Sequence, residues 1–352
     1  MSTFTNENNR AKSSSSQKIA VMIINLNGKH HLKSCLDSLQ NQTYQNFDTY
    51  IIDNGSSDGS LSYIVKNYPL VKIIAFSKNL GFAGAYNQAV KEIMDSNFVV
   101  FLNNDTKVDA DWLRALCTRM FQENSIIAVG SKLKLYYSPS LLHNAGAKLS
   151  SVNGGFDIGL FEKDGEQFNI RRYVGATCGA SMLVRRDLFL KIGGFDETYF
   201  AFFEDVDFCW RAWLYGYKII YEPTSVVYHK RGGSFGSTSV FGTFLGGRNQ
   251  LLTIMKNCQP VNLLTGLCLI TPIFATRIIL HLKERKLDQV FASCNAVLWV
   301  LRNLRLVINK RRVVQKNRLC NDCELSSLGV LASAGESIRE NLKLMKSPPL
   351  SN

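Results

Sequence analysis

Phe98-Val99-Val100-Phe101-Leu102-Asn103-Asn104-Asp105-Thr106 runs an unbroken apolar stretch straight into two amides and a carboxylate. Such a run predicts a strand covered on both faces, the habit of parallel sheets flanked by helices. Sheets of that kind bind ligands beyond the carboxyl ends of their strands, which is where Asp105 emerges. A hard divalent cation takes one or two carboxylates together with substrate phosphates. The stretch therefore reads as a place to hold a metal against a phosphorylated molecule. An acidic turn after a strand is also common, and the rest of the chain has to decide between the two.

Upstream, Ile19–Ile24, Phe47–Ile52 and Val71–Phe76 read as three more strands, separated by helical patterns around His31–Gln40, after Asn54-Gly-Ser-Ser-Asp-Gly59, and up to about Met94. Strand and helix alternating through short connections specify a parallel sheet with right-handed crossovers. The fold class is thus α/β, with a mostly parallel central sheet and helices on both faces. Asn25, Asp53, Asn79 and Asp105 then fall at four consecutive strand ends on one edge. The regularity stops at Tyr136–Arg172, a polar, turn-rich excursion predicted to lie over that edge. It resumes with a strand at Cys178–Arg185, a short helix at Asp187–Ile192, a helix through Arg211 and Leu214, and short strands at Lys218–Tyr221 and Ser225–Tyr228.

At 352 residues, 46% hydrophobic and 20% charged, the chain can bury a full core. Its net charge of +13 is uneven: from Arg248 onward 16 Lys/Arg face 6 Asp/Glu, so +10 of it sits there. A uniformly basic nucleic-acid binder is not patterned this way, because here the cations flank apolar helices rather than interleave with aromatics. The apolar stretches Leu263–Ala275 and Val290–Leu301 each fall short of the ~20 residues that span a bilayer. Flanked by Arg277, Lys283, Arg285, Lys286, Arg302 and Arg305, they predict interfacial helices on an anionic membrane surface. Three regions are expected: a disordered tail over 1–17, a catalytic domain over 18–257, and a basic amphipathic helical region over 258–352. The nine cysteines are scattered through apolar contexts and suit free thiols, and Cys320-Asn-Asp-Cys323 reads as a solvated helix end.

Two further places carry chemistry. Glu204, Asp205 and Asp207 cluster where a helix begins, behind Phe200, Phe202 and Phe203. Carboxylates favour a helix N-terminus, and Asp207 can pair with Arg211 one turn on. A carboxylate beside apolar walls can also be tuned as a general base. His229 precedes Lys230-Arg231-Gly232-Gly233-Ser234, a setting that suits a metal and a diphosphate, because glycines let backbone N–H groups approach phosphate. His30, His31, His143 and His281 lack such surroundings.

Together these segments resemble the family 2 glycosyltransferases of the GT-A fold, most closely bacterial rhamnosyltransferase-like members. The matching text is Ile24-Asn-Leu-Asn with Cys35-Leu-Asp-Ser-Leu; Ile52-Asp-Asn-Gly-Ser-Ser-Asp-Gly-Ser; Asn79-Leu-Gly-Phe-Ala-Gly; Leu102-Asn-Asn-Asp-Thr; Gly193-Gly-Phe-Asp; and Phe203-Glu-Asp-Val-Asp-Phe-Cys-Trp-Arg211, with Tyr228-His229 after it. The resemblance covers roughly Ile19 to Asn257. It implies that Asp53 contacts the pyrimidine, that Asn25, Asn79, Gly81, Asn104 and Asp105 line the nucleotide-sugar, and that Asp105 with His229 holds a Mg²⁺ or Mn²⁺ ion. It also implies that Asp205 is the base, with Glu204 its neighbour, orienting the acceptor or raising the pKa of the base. The implied activity is inverting sugar transfer, dTDP-rhamnose the favoured donor and a UDP-sugar the other, to a saccharide or lipid-linked acceptor. The expected place is the inner face of the cell membrane, as a peripheral protein in cell-surface polysaccharide synthesis. A non-catalytic nucleotide-sugar-binding or scaffold protein of the same fold is the alternative. One departure stands out: the family's metal motif often reads Asp-x-Asp, and here it is Asn103-Asn104-Asp105.

Overall fold

The computed structural model describes residues 17–231 and 239–346. The expected tail over 1–17, apart from Gln17, and the Gly232-Gly233-Ser234 turn lie outside the described residues. The four predicted strands form as β1 (Ile19–Asn25), β2 (Phe47–Asp53), β3 (Lys72–Ala75) and β4 (Phe98–Asn103), with α1 (Lys29–Gln40), α2 (Ser60–Asn67) and α3 (Gly81–Glu92) between them. They pair in parallel in the order β3-β2-β1-β4. Both faces are covered because residues alternate between two apolar layers. Val21, Ile23, Val100 and Leu102 face Leu32, Leu36 and Trp112, while Ala20, Met22, Val99 and Phe101 face Tyr86, Phe189 and Phe195.

Beyond β4 come β5 (Thr106–Val108), α4 (Trp112–Met120) and β6 (Ile126–Leu135). The excursion is a set of short strands, β7 (Ser138–Asn144), β8 (Ala147–Ser150), β9 (Gly154–Asp157) and β10 (Arg172–Tyr173). Next are β11 (Ser181–Arg185), α5 (Arg186–Lys191), α6 (Glu204–Leu214) and β12 (Lys218–His229). β11 runs antiparallel between β4 and β6, and β12 pairs with β6 in parallel. The two short strands expected at 218–221 and 225–228 are one strand, broken in register between Glu222 and Val226. Pro223 cannot donate to a ladder, and the irregularity absorbs it.

The C-terminal part comprises α7 (Val240–Asn257), α8 (Pro260–Lys283), α9 (Leu287–Arg302), α10 (Leu304–Lys316), α11 (Asp322–Ser327), β13 (Leu331–Ala332) and α12 (Ala334–Lys346). It is woven into the domain: β13 pairs with β8, Arg311 donates to the carbonyls of Met255 and Cys258, and Asp322 accepts from the Gln259 N–H. The apolar run at 263–275 belongs to a longer helix than its own length suggests. α8 has 24 residues and continues through Pro272, so it is long and apolar enough to cross a membrane. Its flanks Pro260–Asn262 and Thr276–Lys283 supply the extra turns, and most of its surface is exposed.

Candidate active site

Asn25 and Asp53 end β1 and β2 opposite one another in register, both buried. The Asn25 amide donates to an Asp53 carboxylate oxygen at 3.2 Å and to Ser56 Oγ at 3.0 Å, and the Ser56 N–H donates to the other Asp53 oxygen at 3.0 Å. Asn104 closes the group by donating to Asn25 Oδ1 at 2.8 Å. A Cβ at Gly28 would stand 2.1 Å from Asn104 Nδ2 and 2.8 Å from Asn25 Oδ1, so a larger residue there would displace these two amides. Asn79 Oδ1 accepts from Asn54 at 2.9 Å and from the Gly81 N–H at 2.8 Å. Gly81 itself has φ +75, and a Cβ there would lie 2.5 Å from the Phe200 carbonyl. That close approach lets the Phe82 N–H at the start of α3 donate to Phe200 at 2.6 Å.

β5 returns Asp105 toward the end of β12, and Asp105 and His229 meet there, a carboxylate oxygen 3.1 Å from His229 Nε2, both side chains buried. Burial by itself raises the Asp105 pKa, but the imidazole beside it outweighs that and holds the carboxyl below its ordinary range. Behind His229, its Nδ1 lies 2.9 Å from His143 Nδ1. Sequence reading passed over His143 because it sits in the middle of the excursion. Burial pushes its pKa well down, so it is neutral and can donate or accept one hydrogen bond at Nδ1. His229 Nε2 and the Asp105 carboxylate oxygen are thus hydrogen-bond partners, and they are also the kinds of atom that ligate a divalent ion. This donor set fits a divalent ion. Among the described residues no group of three or more His, Cys, Asp or Glu is placed to hold a metal. The pair offers two ligand atoms, fewer than a divalent ion takes, so any ion held there would need further ligands from a bound phosphate.

Asp205 is the second residue of α6 and is half-buried. One of its oxygens accepts the Gly179 N–H at 2.7 Å and the other accepts the Val206 N–H at 2.8 Å. The neighbouring Ala180 carbonyl accepts the Asn103 N–H at 3.1 Å, so two consecutive residues tie the carboxylate to the end of β4. Burial raises the Asp205 pKa and the two N–H bonds moderate the rise. Glu204 is different: it is buried, its Oε2 lacks a hydrogen-bond partner, and burial together with the Asp205 charge pushes its pKa well up. Both carboxyls are raised, and Glu204, the deeper and unpartnered one, the more. Asp205 ionises first and Glu204 keeps its proton. A third carboxyl, Asp157 on β9, bonds Asn144 at 2.7 Å and is pushed up to about 6 by burial, with the Asp205 charge adding to the rise. Its signal in the sequence was Gly154-Gly-Phe-Asp157, the same four residues as Gly193-Gly-Phe-Asp196.

The segment bearing Asp205 is held from behind. Phe200, Phe202 and Phe203 have φ of 65, 68 and 69, the left-handed region that L-residues avoid. Asn249 on α7 donates its amide to the carbonyls of Tyr199, Ala201 and Phe202 at 3.1, 2.8 and 2.7 Å. Arg248 adds bonds to the carbonyls of Thr198 and Tyr199 at 2.7 and 2.8 Å. Neither residue was legible as functional, because a polar pair in an apolar helix carries no spacing that names its targets.

The profile of Glycosyl transferase family 2 matches residues 20–193. Residues 20–193 form a family 2 glycosyltransferase domain. N-acetylglucosaminyl-diphospho-decaprenol L-rhamnosyltransferase of Mycobacterium tuberculosis is 28% identical to the transferase over 229 residues, 58% of this chain and 74% of that one. Rhamnosyltransferase WbbL of Escherichia coli is 25% identical over 222 residues, covering 60% and 83%. Among solved structures, GalNAc-T7 with UDP, GalNAc and Mn2+ aligns with TM-score 0.56 at 16% identity, over 68% of this chain and 48% of that one. The Pyrobaculum calidifontis mannosyltransferase in complex with GDP-Man and Mn2+ aligns with TM-score 0.50 at 13% identity, over 94% and 88%. At these identities the two structures speak for the transferase's fold, which is GT-A.

Proposed function

We propose that this transferase moves a sugar from a nucleoside diphosphate to an acceptor hydroxyl with inversion. The favoured donor is dTDP-rhamnose, with UDP-sugars as the other class, and the acceptor is lipid-linked or a saccharide destined for the cell surface. The observation that carries this reading is the link from Asp205 through Gly179 and Ala180 to the strand end beside Asp105 and His229. That link joins the segment of the proposed base to the strand end from which the proposed cation-holding pair is presented. Asp53 and Asn25 hold the pyrimidine end, with Asn79, Gly81 and Asn104 along the nucleotide. Asp205 takes the proton of the acceptor hydroxyl as its oxygen bonds to the anomeric carbon, while the bond from that carbon to the diphosphate oxygen breaks on the far side. One displacement inverts the centre. A Mg²⁺ or Mn²⁺ ion held by Asp105 and His229 would neutralise the charge growing on the departing diphosphate. The expected place is the cytoplasmic face of a membrane, with the basic region over 258–352 toward the lipid and 18–257 as the catalytic unit.

Nucleotide release from a panel of dTDP- and UDP-sugars, with and without acceptor lipid extract, tests the reading. Release with one donor supports it. Binding of a donor with no release under any condition favours the scaffold alternative. With one carboxylate in place of the usual two, the donor-free protein is expected to bind Mg²⁺ and Mn²⁺ weakly, and tight binding in calorimetry counts against the assignment. His143→Ala is expected to raise the cation concentration needed for half-maximal activity by about 10–100-fold, because it removes the partner that orients His229. An unchanged cation titration would sink that role.

A further inference from the structure

β9 lies against the segment that carries Asp205. A Cβ at Gly154 would stand 2.9 Å from the Phe203 ring, and one at Gly155 would stand 3.3 Å from Val206 Cγ1. Side chains alternate along a strand, so Asp157, two positions past Gly155, leaves β9 on the face that meets the start of α6. Phe156 between them turns the other way. It shares its face with Lys148, its partner across the β8–β9 pair, and Lys148 reaches Glu336 of α12 at 2.7 Å.

Asn144 fixes one oxygen of Asp157. The Gly146 N–H donates to Asn144 Oδ1 at 2.8 Å, which leaves the amide nitrogen to donate to Asp157 at 2.7 Å. Among the described residues the other Asp157 oxygen has no hydrogen-bond partner. Burial pushes this carboxyl up to about 6, with Asn144 and the Arg231 guanidinium pulling against the rise and the Asp205 charge adding to it, so it is ionised at neutral pH. A side chain needed only to hold Asn144 could be an amide, at a smaller cost in lost hydration. The charge is better explained by a partner with O–H groups to donate. With Asp205 receiving the proton of the attacking hydroxyl, a second carboxylate beside it is placed for the hydroxyl on the adjoining carbon. We propose that Asp157 binds the acceptor by accepting a hydrogen bond from the hydroxyl next to the one that attacks, so that the transferase selects acceptors with a vicinal diol. This rests on the transferase reading above, with Asp205 as base, and names what the acceptor must carry.

The test measures nucleotide release by the full chain with saturating donor and a panel of octyl glycosides as acceptor probes, each beside its monodeoxy analogues. Asp157→Asn is the variant, because asparagine keeps an oxygen for the Asn144 amide and a purely structural Asp157 would leave acceptor kinetics unchanged. Asp157→Asn is expected to raise the acceptor KM and lower kcat/KM about tenfold or more, with donor binding in calorimetry and the melting temperature at parental values. In the parent protein, removing the hydroxyl beside the attacking one is expected to cost about the same factor, and in Asp157→Asn little further. Equal acceptor kinetics in the two proteins overturn the proposal, as does a parent protein that uses every deoxy probe as well as its diol. That second comparison needs no variant and decides the matter if Asp157→Asn melts early. Donor hydrolysis that no glycoside accelerates rejects the diol alone; no nucleotide release from any sugar donor rejects the reading beneath it.

Discussion

Asp205→Asn lowers sugar transfer by about 10²–10⁴-fold while nucleotide binding stays intact. The amide is nearly the same shape, so one oxygen still accepts a backbone N–H from Gly179 or Val206, and α6 keeps its start. What disappears is the capacity to take a proton. Titration of donor by calorimetry, beside transfer rates, separates the two effects; an Asp205→Asn protein with parental turnover would rule out the base assignment. Glu204→Gln provides the contrast. Because Glu204 is buried and holds its proton, the neutral isostere changes little, and turnover within about tenfold of the parent is expected. The pH profile carries the same information. As the proposed base, Asp205 has to be ionised to act and its pKa is raised, so kcat/KM is expected to fall on acidification at a higher pH than about 4, where an ordinary aspartate titrates. That limb persists in Glu204→Gln.

Lys256→Met lowers stability by about 3 kcal/mol and the melting temperature by roughly 5–10 °C. Lys256 is 2% exposed, and its Nζ lies 2.5 Å from Asp196 and 2.9 Å from Asp207. Arg211 shares Asp207 at 2.8 Å and Lys310 shares Asp196 at 2.8 Å. Removing the central cation leaves two buried carboxylates short of a partner, which costs far more than the apolar methionine regains. Burial alone raises both carboxyls, but Lys256 and its companions prevail and hold both below the ordinary 3.8. Groups depressed in the folded state add stability that is complete above the unfolded pKa and lost as pH falls through the folded one. The parent protein should therefore begin to lose this contribution below about pH 4 and go on losing it as pH falls toward the depressed folded values. Thermal melts of both proteins at neutral pH and near pH 3 check this. A gap between them at neutral pH that narrows in acid is the expected pattern, and equal melts at neutral pH would dismiss the network.

The first half of the fold was legible because its periodicities are strong. Three of the first four strands are largely buried and end in a polar residue, Asn25, Asp53 and Asn103, and the register Asn25 to Asp53 follows from equal strand lengths. The later half obeys longer-range rules. β11 reads like any apolar strand, and nothing local declares that it runs antiparallel between β4 and β6. Asp105 and His229 stand 124 positions apart, and sequence order alone paired them only through the family resemblance. His143, Asp157, Arg248 and Asn249 stayed hidden for a common reason. Each acts on a partner that folding brings from far along the chain, and a side chain's target cannot be read from its own neighbours. Glu204 was legible as important, but which carboxyl keeps the proton depends on depth, which a sequence does not record.

Three left-handed phenylalanines precede Asp205, and each costs about 1–3 kcal/mol against ordinary backbone. One amide, that of Asn249, spans three of the carbonyls that keep them there. The loop resembles a bent spring under a single latch. Releasing the latch with Asn249→Ala lets the backbone relax downhill, so the lost bonds and the relieved bend offset each other in the melting curve. Such a protein would be folded, able to load its donor, and inert, its base carried out of reach by relaxation rather than by unfolding.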